Sequence, residues 1–265
     1  LGTRLLPLTS VFAKELLPIN GKPGLEYILD ECIEAGIKEV VFIISKKKMM
    51  IKKYFYSDKF YKEIIKKKND PNIIKEYKKI LKYKKMIKFV FQDKPLGTGD
   101  AVYKTKKFIT DKYFLMLLPD DLIIKKNCSK SMIAIHQKFK TSVMASMKVN
   151  KNDVSRWGIY NIKKKIDKDN FIINNVVEKP SIKASPSNNA VIGRYILPKT
   201  IFSKLKSLKP SKGGEFHITD AIQALIDDSY QFIGHNFSGK YLDCGTMKGY
   251  IKSTLEISKQ WNFAW

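Results

Sequence analysis

Leu1-Gly2-Thr3-Arg4-Leu5-Leu6-Pro7-Leu8-Thr9, followed at short range by Lys14-Glu15-Leu16-Leu17-Pro18-Ile19-Asn20-Gly21-Lys22-Pro23, reads as a phosphate-binding turn. A glycine lets backbone N–H groups approach phosphate oxygens closely. Arg4 brings a planar fork of donors that matches phosphate, and Lys14 adds a second positive charge. A loop that merely carries charge explains the isolated Gly2-Thr3-Arg4 triplet equally well; the longer string is far more specific. Turns of this kind follow a strand. No strand precedes Gly2 in this sequence, so the natural chain is expected to begin earlier, and the fold to lack its first strand here.

On either side of each polar motif, helical and strand patterns alternate, as in an α/β domain. Residues 25–35 form an amphipathic helix, with Leu25, Ile28, Leu29, Cys32 and Ile33 on one side and Gly36 as its stop. Strands are expected at 39–44, 88–92, 113–118, 142–149 and 231–237, with 157–162 and 171–177 as a pair and 189–197 strand-like. Helices are expected at 99–106, 128–139, 201–208 and 218–228, with a last one running to about residue 259. Residues 46–85 read as a lysine-rich helical insertion, broken at Asn69-Asp70-Pro71 and solvated rather than binding. No repeat or low-complexity linker divides the chain, so residues 1–265 are expected to form one domain.

The 265 residues carry a formal net charge of +25, which raises nucleic acid as a partner. Yet Arg4, Arg156 and Arg194 are the only arginines. Proteins that read base edges lean on arginine forks, so no specific nucleic-acid partner is expected. No apolar run approaches the roughly 20 residues that span a bilayer, so no membrane partner is expected. Cys32, Cys128 and Cys244 are scattered, which suits free thiols in a reducing compartment, and a cytoplasmic location is expected. His136, His217 and His235 have no metal spacing.

The remaining polar signals sit at expected strand ends, where α/β sheets bind ligands. Asp120 and Asp121 follow Leu115-Met116-Leu117-Leu118-Pro119. A carboxylate there can hold Mg²⁺, which prefers oxygen ligands and substrate phosphates; capping the next segment is the competing reading. Asp243 is the candidate partner carboxylate. Gln92 offers an amide that can read a pyrimidine edge, while Gly97 and Gly99 permit close approach to a flat base, though a plain turn explains a lone Gly-x-Gly. Lys179 can bind a monoester phosphate and Glu178 can accept from hydroxyls, against the bland reading of a solvated strand end.

Taken in order, these strings resemble bacterial UTP–glucose-1-phosphate uridylyltransferases of the sugar nucleotidyltransferase family. The resemblance rests on Gly2-Thr3-Arg4, Lys14-Glu15-Leu16-Leu17-Pro18, Lys22-Pro23, Gln92 with Pro95-Leu96-Gly97, Leu118-Pro119-Asp120-Asp121, Ser155-Arg156-Trp157-Gly158, Glu178-Lys179-Pro180, Pro186-Ser187-Asn188, Gly193-Arg194-Tyr195, Gly214-Glu215 and Asp243-Cys244-Gly245. It covers nearly the whole chain. Glucose-1-phosphate thymidylyltransferases share some of these elements, but Leu-Pro-Asp-Asp and Gly-Arg-Tyr look more like the uridylyl branch. Ala13, Asp100 and Trp157 stand where that family commonly has proline, histidine and tyrosine.

The resemblance implies a doubly wound, Rossmann-like mixed sheet flanked by helices. It implies Mg²⁺-dependent transfer from UTP to glucose 1-phosphate, giving UDP-glucose and pyrophosphate. Arg4 and Lys14 would hold the triphosphate, with Gly2 and Thr3 against the nucleotide. Asp120 and Asp243 would hold Mg²⁺, and Lys179 would neutralise the sugar phosphate. Glu178, Gly158 and Asn188 would orient sugar hydroxyls, and Gln92 and Gly97 would contact uracil. A homo-oligomer suits the family. The rival readings are a thymidylyl or other sugar-phosphate nucleotidyltransferase, an inactive truncated homologue, and a polycationic nucleic-acid-binding protein.

Overall fold

Ser142-Val143-Met144-Ala145-Ser146-Met147-Lys148 shows how the chain is layered. Successive side chains of a strand point to opposite faces. Val143 and Ala145 lie with Cys128 and Met132, whereas Met144 lies with Phe202 and Leu225 on the opposite face. Apolar residues on both faces need cover on both, which a sheet between helix layers supplies. The computed structural model describes residues 2–211 and 213–259.

After three short 3₁₀ turns, the chain forms the hairpin β1 (Pro18–Ile19) and β2 (Lys22–Pro23), then α1 (Gly24–Glu34) and β3 (Val40–Ile44). Next come α2 (Met49–Tyr56), α3 (Lys59–Lys68), α4 (Pro71–Met86), β4 (Ile87–Phe91) and α5 (Thr98–Tyr103). The middle of the chain supplies β5 (Tyr113–Leu117), β6 (Asp121–Ile124), α6 (Cys128–Phe139), β7 (Ser142–Lys148), β8 (Gly158–Lys165), β9 (Asn170–Glu178) and β10 (Asn189–Pro198). It closes with α7 (Ile201–Ser207), α8 (Ile218–Asp227), β11 (Phe232–Asn236), β12 (Lys240–Asp243) and α9 (Met247–Ser258). Capping chemistry accounts for several starts. Asn127 accepts from Lys130 N at α6, Asp70 from Asn72 N ahead of Pro71 at α4, and Thr246 from Gly249 N at α9.

The central sheet is six-stranded, in the order β5-β10-β7-β11-β9-β8. It is mixed, because β7 and β11 run parallel while its other ladders are antiparallel. Helices cover both faces: Cys128 and Met132 of α6 pack on one side, and residues of α5, α7 and α8 on the other. Instead of joining one continuous layer, β3 and β4 form a separate parallel pair. Between β3 and β5 lies a cavity of about 940 Å³, lined by every residue of both strands. Neither facing edge has a ladder partner among the described residues.

The lysine-rich segment 46–85 is less solvated than its composition predicts. Asn69 takes left-handed backbone and Pro71 starts α4, so the expected break is where it was read, with a second one between α2 and α3. However, Ile51, Phe55, Ile80, Tyr83 and Met86 are buried against Leu25, Leu29 and Cys32 of α1. Lysines occupy the outer faces while an apolar stripe at helical spacing seals one flank of the fold.

Candidate active site

The site begins with a register. Strands β6 and β12 pair antiparallel with Asp121 opposite Asp243, and Cys244 N donates to Asp120 O at 2.8 Å. Asp120 and Asp243, 123 positions apart in sequence, are thereby brought side by side. A methyl group placed on Gly245 would lie 2.8 Å from Asp120 Oδ2, 3.2 Å from Asp243 Oδ1 and 3.3 Å from Arg4 Nη2. The missing side chain at Gly245 therefore leaves a small cradle around which a guanidinium and two carboxylates converge. Lys14 completes the group, its Nζ 2.6 Å from Asp120 Oδ2. Gly2 sits in left-handed backbone, and Thr9 Oγ1 closes the turn by donating to Gly2 O at 2.6 Å. Thr3 and Arg4 lie exposed on that turn, and Leu5 is its buried anchor.

Two opposing effects act on Asp120. Burial alone would raise its pKa, but the Lys14 charge and hydrogen bond, a backbone donor and the Arg4 charge together hold it below the usual carboxylate range. Asp120 is thus an anion at neutral pH. Its neighbour Asp121 goes the other way, pushed up by burial. Asp121 accepts from Gly193 N at 2.8 Å and from Tyr241 Oη at 2.6 Å, so it braces the corner and does not face the cradle's cations. The corner is held from behind by Arg194, which is fully buried. Its guanidinium donates to Glu31 Oε2 at 2.8 Å, Asp121 O at 2.7 Å and Leu118 O at 3.1 Å. A buried ion pair with every donor used rigidifies more than it stabilises. Arg194, Glu31 and Tyr241 are site-building residues that sequence reading did not assign; the Gly193-Arg194-Tyr195 string hinted at Arg194, and no sequence signal pointed to Glu31 or Tyr241.

Gln92 follows β4, and its backbone N–H donates to Ile44 O at the end of β3. Its Nε2 donates to Gly97 O at 3.1 Å and to Asp100 Oδ2 at 2.8 Å. The glycines of this loop serve packing first. A Cβ on Gly97 would meet Phe216 O at 2.5 Å, and one on Gly99 the same atom at 2.9 Å. Gly99 N donates to Phe216 O, and Phe216 N to Leu96 O, so the loop is clamped to residue 216. The cavity between β3 and β5 is lined at once by Gln92 and Thr98 of this loop, by Glu15 next to Lys14, and by Pro119 next to Asp120.

The third group lies across β8 and β9. Gly158 pairs with Glu178, and a Cβ on Gly158 would come 3.1 Å from Glu178 Oε2. Lys179 is exposed, in left-handed backbone, with its N–H donating to Trp157 O at 2.9 Å. The Trp157 ring stands edge-on to Tyr241 at 5.5 Å, and Tyr241 in turn reaches Asp121. Lys179 and Glu178 are therefore tied to the Asp120–Asp121 corner through one aromatic pair. Asn188 is exposed, with its Nδ2 donating to Val149 O at 3.3 Å. The structure gathers Arg4, Lys14, Asp120 and Asp243 around the Gly245 cradle, with Lys14 and Asp120 in direct contact. Gly158 and Glu178 form an adjoining group with Lys179, Asn188 lies at its margin, and Gln92 and Gly97 form another group.

For a cation, Asp120 and Asp243 supply hard oxygen donors at the Gly245 cradle, which suits Mg²⁺ because that ion keeps waters and takes remaining ligands from phosphates. Among the described residues no cluster of three or more His, Cys, Asp or Glu forms an all-protein cage. The same residues show no helix long and apolar enough to cross a membrane.

Residues 1–260 match the family model described as nucleotidyl transferase. A UTP–glucose-1-phosphate uridylyltransferase of Staphylococcus saprophyticus is 33% identical over 259 residues, covering 97% of this chain and 89% of that protein. A crystal structure of a UDP-glucose pyrophosphorylase complexed with UDP-glucose superposes with a TM-score of 0.85 at 32% identity, over 98% of this chain and 95% of the other. A UTP-bound enzyme of the same name from Acinetobacter baumannii gives 0.89 at 28% identity, over 99% and 92%.

Proposed function

The chain belongs to the nucleotidyl transferase family, and on that footing we propose that it transfers the uridylyl group of UTP to glucose 1-phosphate. A phosphate oxygen of the sugar phosphate bonds to the α-phosphorus of UTP, the bond to the β-phosphate oxygen breaks, and pyrophosphate leaves. The observation that carries this reading is the convergence of Arg4, Lys14, Asp120 and Asp243 on the Gly245 cradle. The nucleophile is already anionic, so no strong base is required, and alignment and charge neutralisation do the work.

In this reading Arg4 and Lys14 hold the triphosphate against the Gly2-Thr3 turn and screen the charge that grows on the departing pyrophosphate. Lys179 neutralises the incoming monoester. Glu178 accepts from a sugar hydroxyl, and Gly158 leaves room for the ring, since a side chain there would push into Glu178. Asn188 closes the sugar end. Gln92 and Gly97 receive the uracil. Asp120 and Asp243 would hold Mg²⁺, which supplies Lewis-acid neutralisation of the reacting phosphates. A single domain with its lysine-rich insertion, homo-oligomeric assembly, a cytoplasmic location and the absence of a nucleic-acid partner belong to the same proposal. The buried, unpaired Cys32, Cys128 and Cys244 support the reducing compartment.

The test is a pyrophosphate-release assay with UTP, glucose 1-phosphate and Mg²⁺, with UDP-glucose identified by mass. UDP-glucose formed in step with pyrophosphate supports the reading. A folded protein that releases none, or that prefers dTTP or another sugar phosphate, defeats it.

A further inference from the structure

The proposed reaction gives Lys48 no task, although it stands at the head of the lysine-rich segment, one residue ahead of α2. Its Nζ lies 2.6 Å from Oε1 of Glu15, the residue after Lys14, with the two side chains 25% and 11% exposed. Glu15 Oε2 is buried without a hydrogen-bond partner, so among the described residues Lys48 alone compensates this carboxylate. The residues on either side of Lys14 lean on the same segment. Lys14–Leu16 is a single 3₁₀ turn, closed by Leu16 N to Ala13 O at 2.9 Å and Leu17 N to Lys14 O at 3.2 Å. Hydrogen bonds of that type are poorly aligned, and one turn of them holds little by itself. Ala13 N–H donates to Met50 Sδ at 3.0 Å, and Ala13 and Leu16 pack in the apolar cluster of Ile51 and Phe55. Residues 13, 15 and 16 are thus fixed to the segment, while Lys14 reaches Asp120.

We propose that Lys48 is a positioning residue of the triphosphate site, keeping the Lys14 ammonium at the cradle by neutralising Glu15. This rests on the reading of Lys14 as a triphosphate contact. The apolar anchors remain when Lys48 is removed, but they cannot compensate a charge. A buried carboxylate left without its partner is strongly unfavourable. Glu15 relieves that penalty only by swinging out to water or toward another cation. Either motion drags a turn of three residues, and Lys14 is the first of them. A shift of about 1 Å in a group aligned on reacting phosphates is enough to cost much of the rate. The lysine-rich segment is therefore a support of the reaction centre as well as a flank of the fold.

The experiment is a double-mutant cycle on pyrophosphate release, with wild type, Lys48→Met, Lys14→Met and the two combined, and thermal melts as the check on folding. Lys48→Met should lower kcat/KM for UTP by roughly ten-fold or more and leave the KM for glucose 1-phosphate within about two-fold. In the Lys14→Met background the same change should cost less than about two-fold, because the residue it positions is gone. A merely structural role would cost the same factor in both backgrounds, and that result overturns the inference, as does full turnover in folded Lys48→Met. Adding Glu15→Gln to Lys48→Met removes the orphaned charge and should restore most of the turnover; no recovery also overturns it. Lys48→Gln, which can still donate to Glu15, carries the same cycle should Lys48→Met fail to fold. Wild-type turnover in Lys14→Met would sink the reading of Lys14 and this inference with it. An impaired Lys14→Met with equal Lys48 losses in both backgrounds removes Lys48 alone.

Discussion

Replacing Lys14 with methionine keeps an unbranched stem and deletes one ammonium. In the folded protein that ammonium is 2.6 Å from Asp120 Oδ2, with the two side chains 18% and 22% exposed. Fully exposed pairs contribute about 0–1 kcal/mol, whereas hydrogen bonds to charged groups in protected sites contribute about 1.5–3 kcal/mol. The Lys14–Asp120 pair lies between these limits, so the variant should lose about 1–2 kcal/mol near neutral pH. The sign of the pH dependence follows from Asp120. Burial, the largest single influence, pulls its pKa up, but Lys14, a backbone donor and Arg4 bring it below the ordinary value. A carboxyl depressed in the folded state adds stability that is present above its unfolded pKa of about 3.9 and is lost as the pH falls through the folded value. Urea denaturation of both proteins from about pH 7 down to about pH 3 should therefore show a gap that is widest at neutrality and closes below about pH 4. Turnover of the folded variant should fall by about 10²-fold, the usual cost of deleting one group aimed at developing charge. A stability gap that stays constant with pH, or wild-type turnover, would refute the reasoning.

Lys179→Ala should raise the KM for glucose 1-phosphate and lower kcat while leaving the KM for UTP within about two-fold, since Lys179 is assigned to the monoester alone; an unchanged steady-state profile removes it from that role. Asp120→Asn should abolish Mg²⁺-dependent turnover with the fold kept, measured by metal titration of activity beside circular dichroism, and wild-type metal dependence would defeat the assignment. Phe55→Ala should cost about 3–5 kcal/mol in urea denaturation, because the ring is buried at the centre of the α1–α2–α4 contact. A loss near zero would mean that the lysine-rich helices are an appendage after all.

Much of the fold was legible because its signals are periodic. The apolar stripe of α1, the short apolar run of β3 and the apolar residues on both faces of β7 each mark an element. The short pairings were not legible. Strands β6 and β12 have four residues apiece, too few for periodicity, yet their register is what places Asp120 beside Asp243. The lysine-rich segment misled because composition outweighs pattern on a first reading: 3.6-residue spacing of Ile51, Phe55, Ile80 and Tyr83 hides among the charges. Site residues that meet through long-range contacts were found only as members of an ordered set of motifs. Residues that act through others, Arg194 with Glu31 and Lys48 with Glu15, carry no local signature, since each takes its meaning from a partner brought up by the fold.

Central to the account is that one nucleotide triphosphate meets Arg4, Lys14 and the Asp120–Asp243 carboxylates together. A crystal structure with UTP and Mg²⁺ tests this most directly. Phosphate oxygens should lie about 3 Å from both the Arg4 guanidinium and the Lys14 ammonium, the cation should sit on Asp120 and Asp243, and the uracil should lie against Gln92 and Gly97. A triphosphate bound elsewhere, with Arg4 and Lys14 left facing solvent, would contradict it.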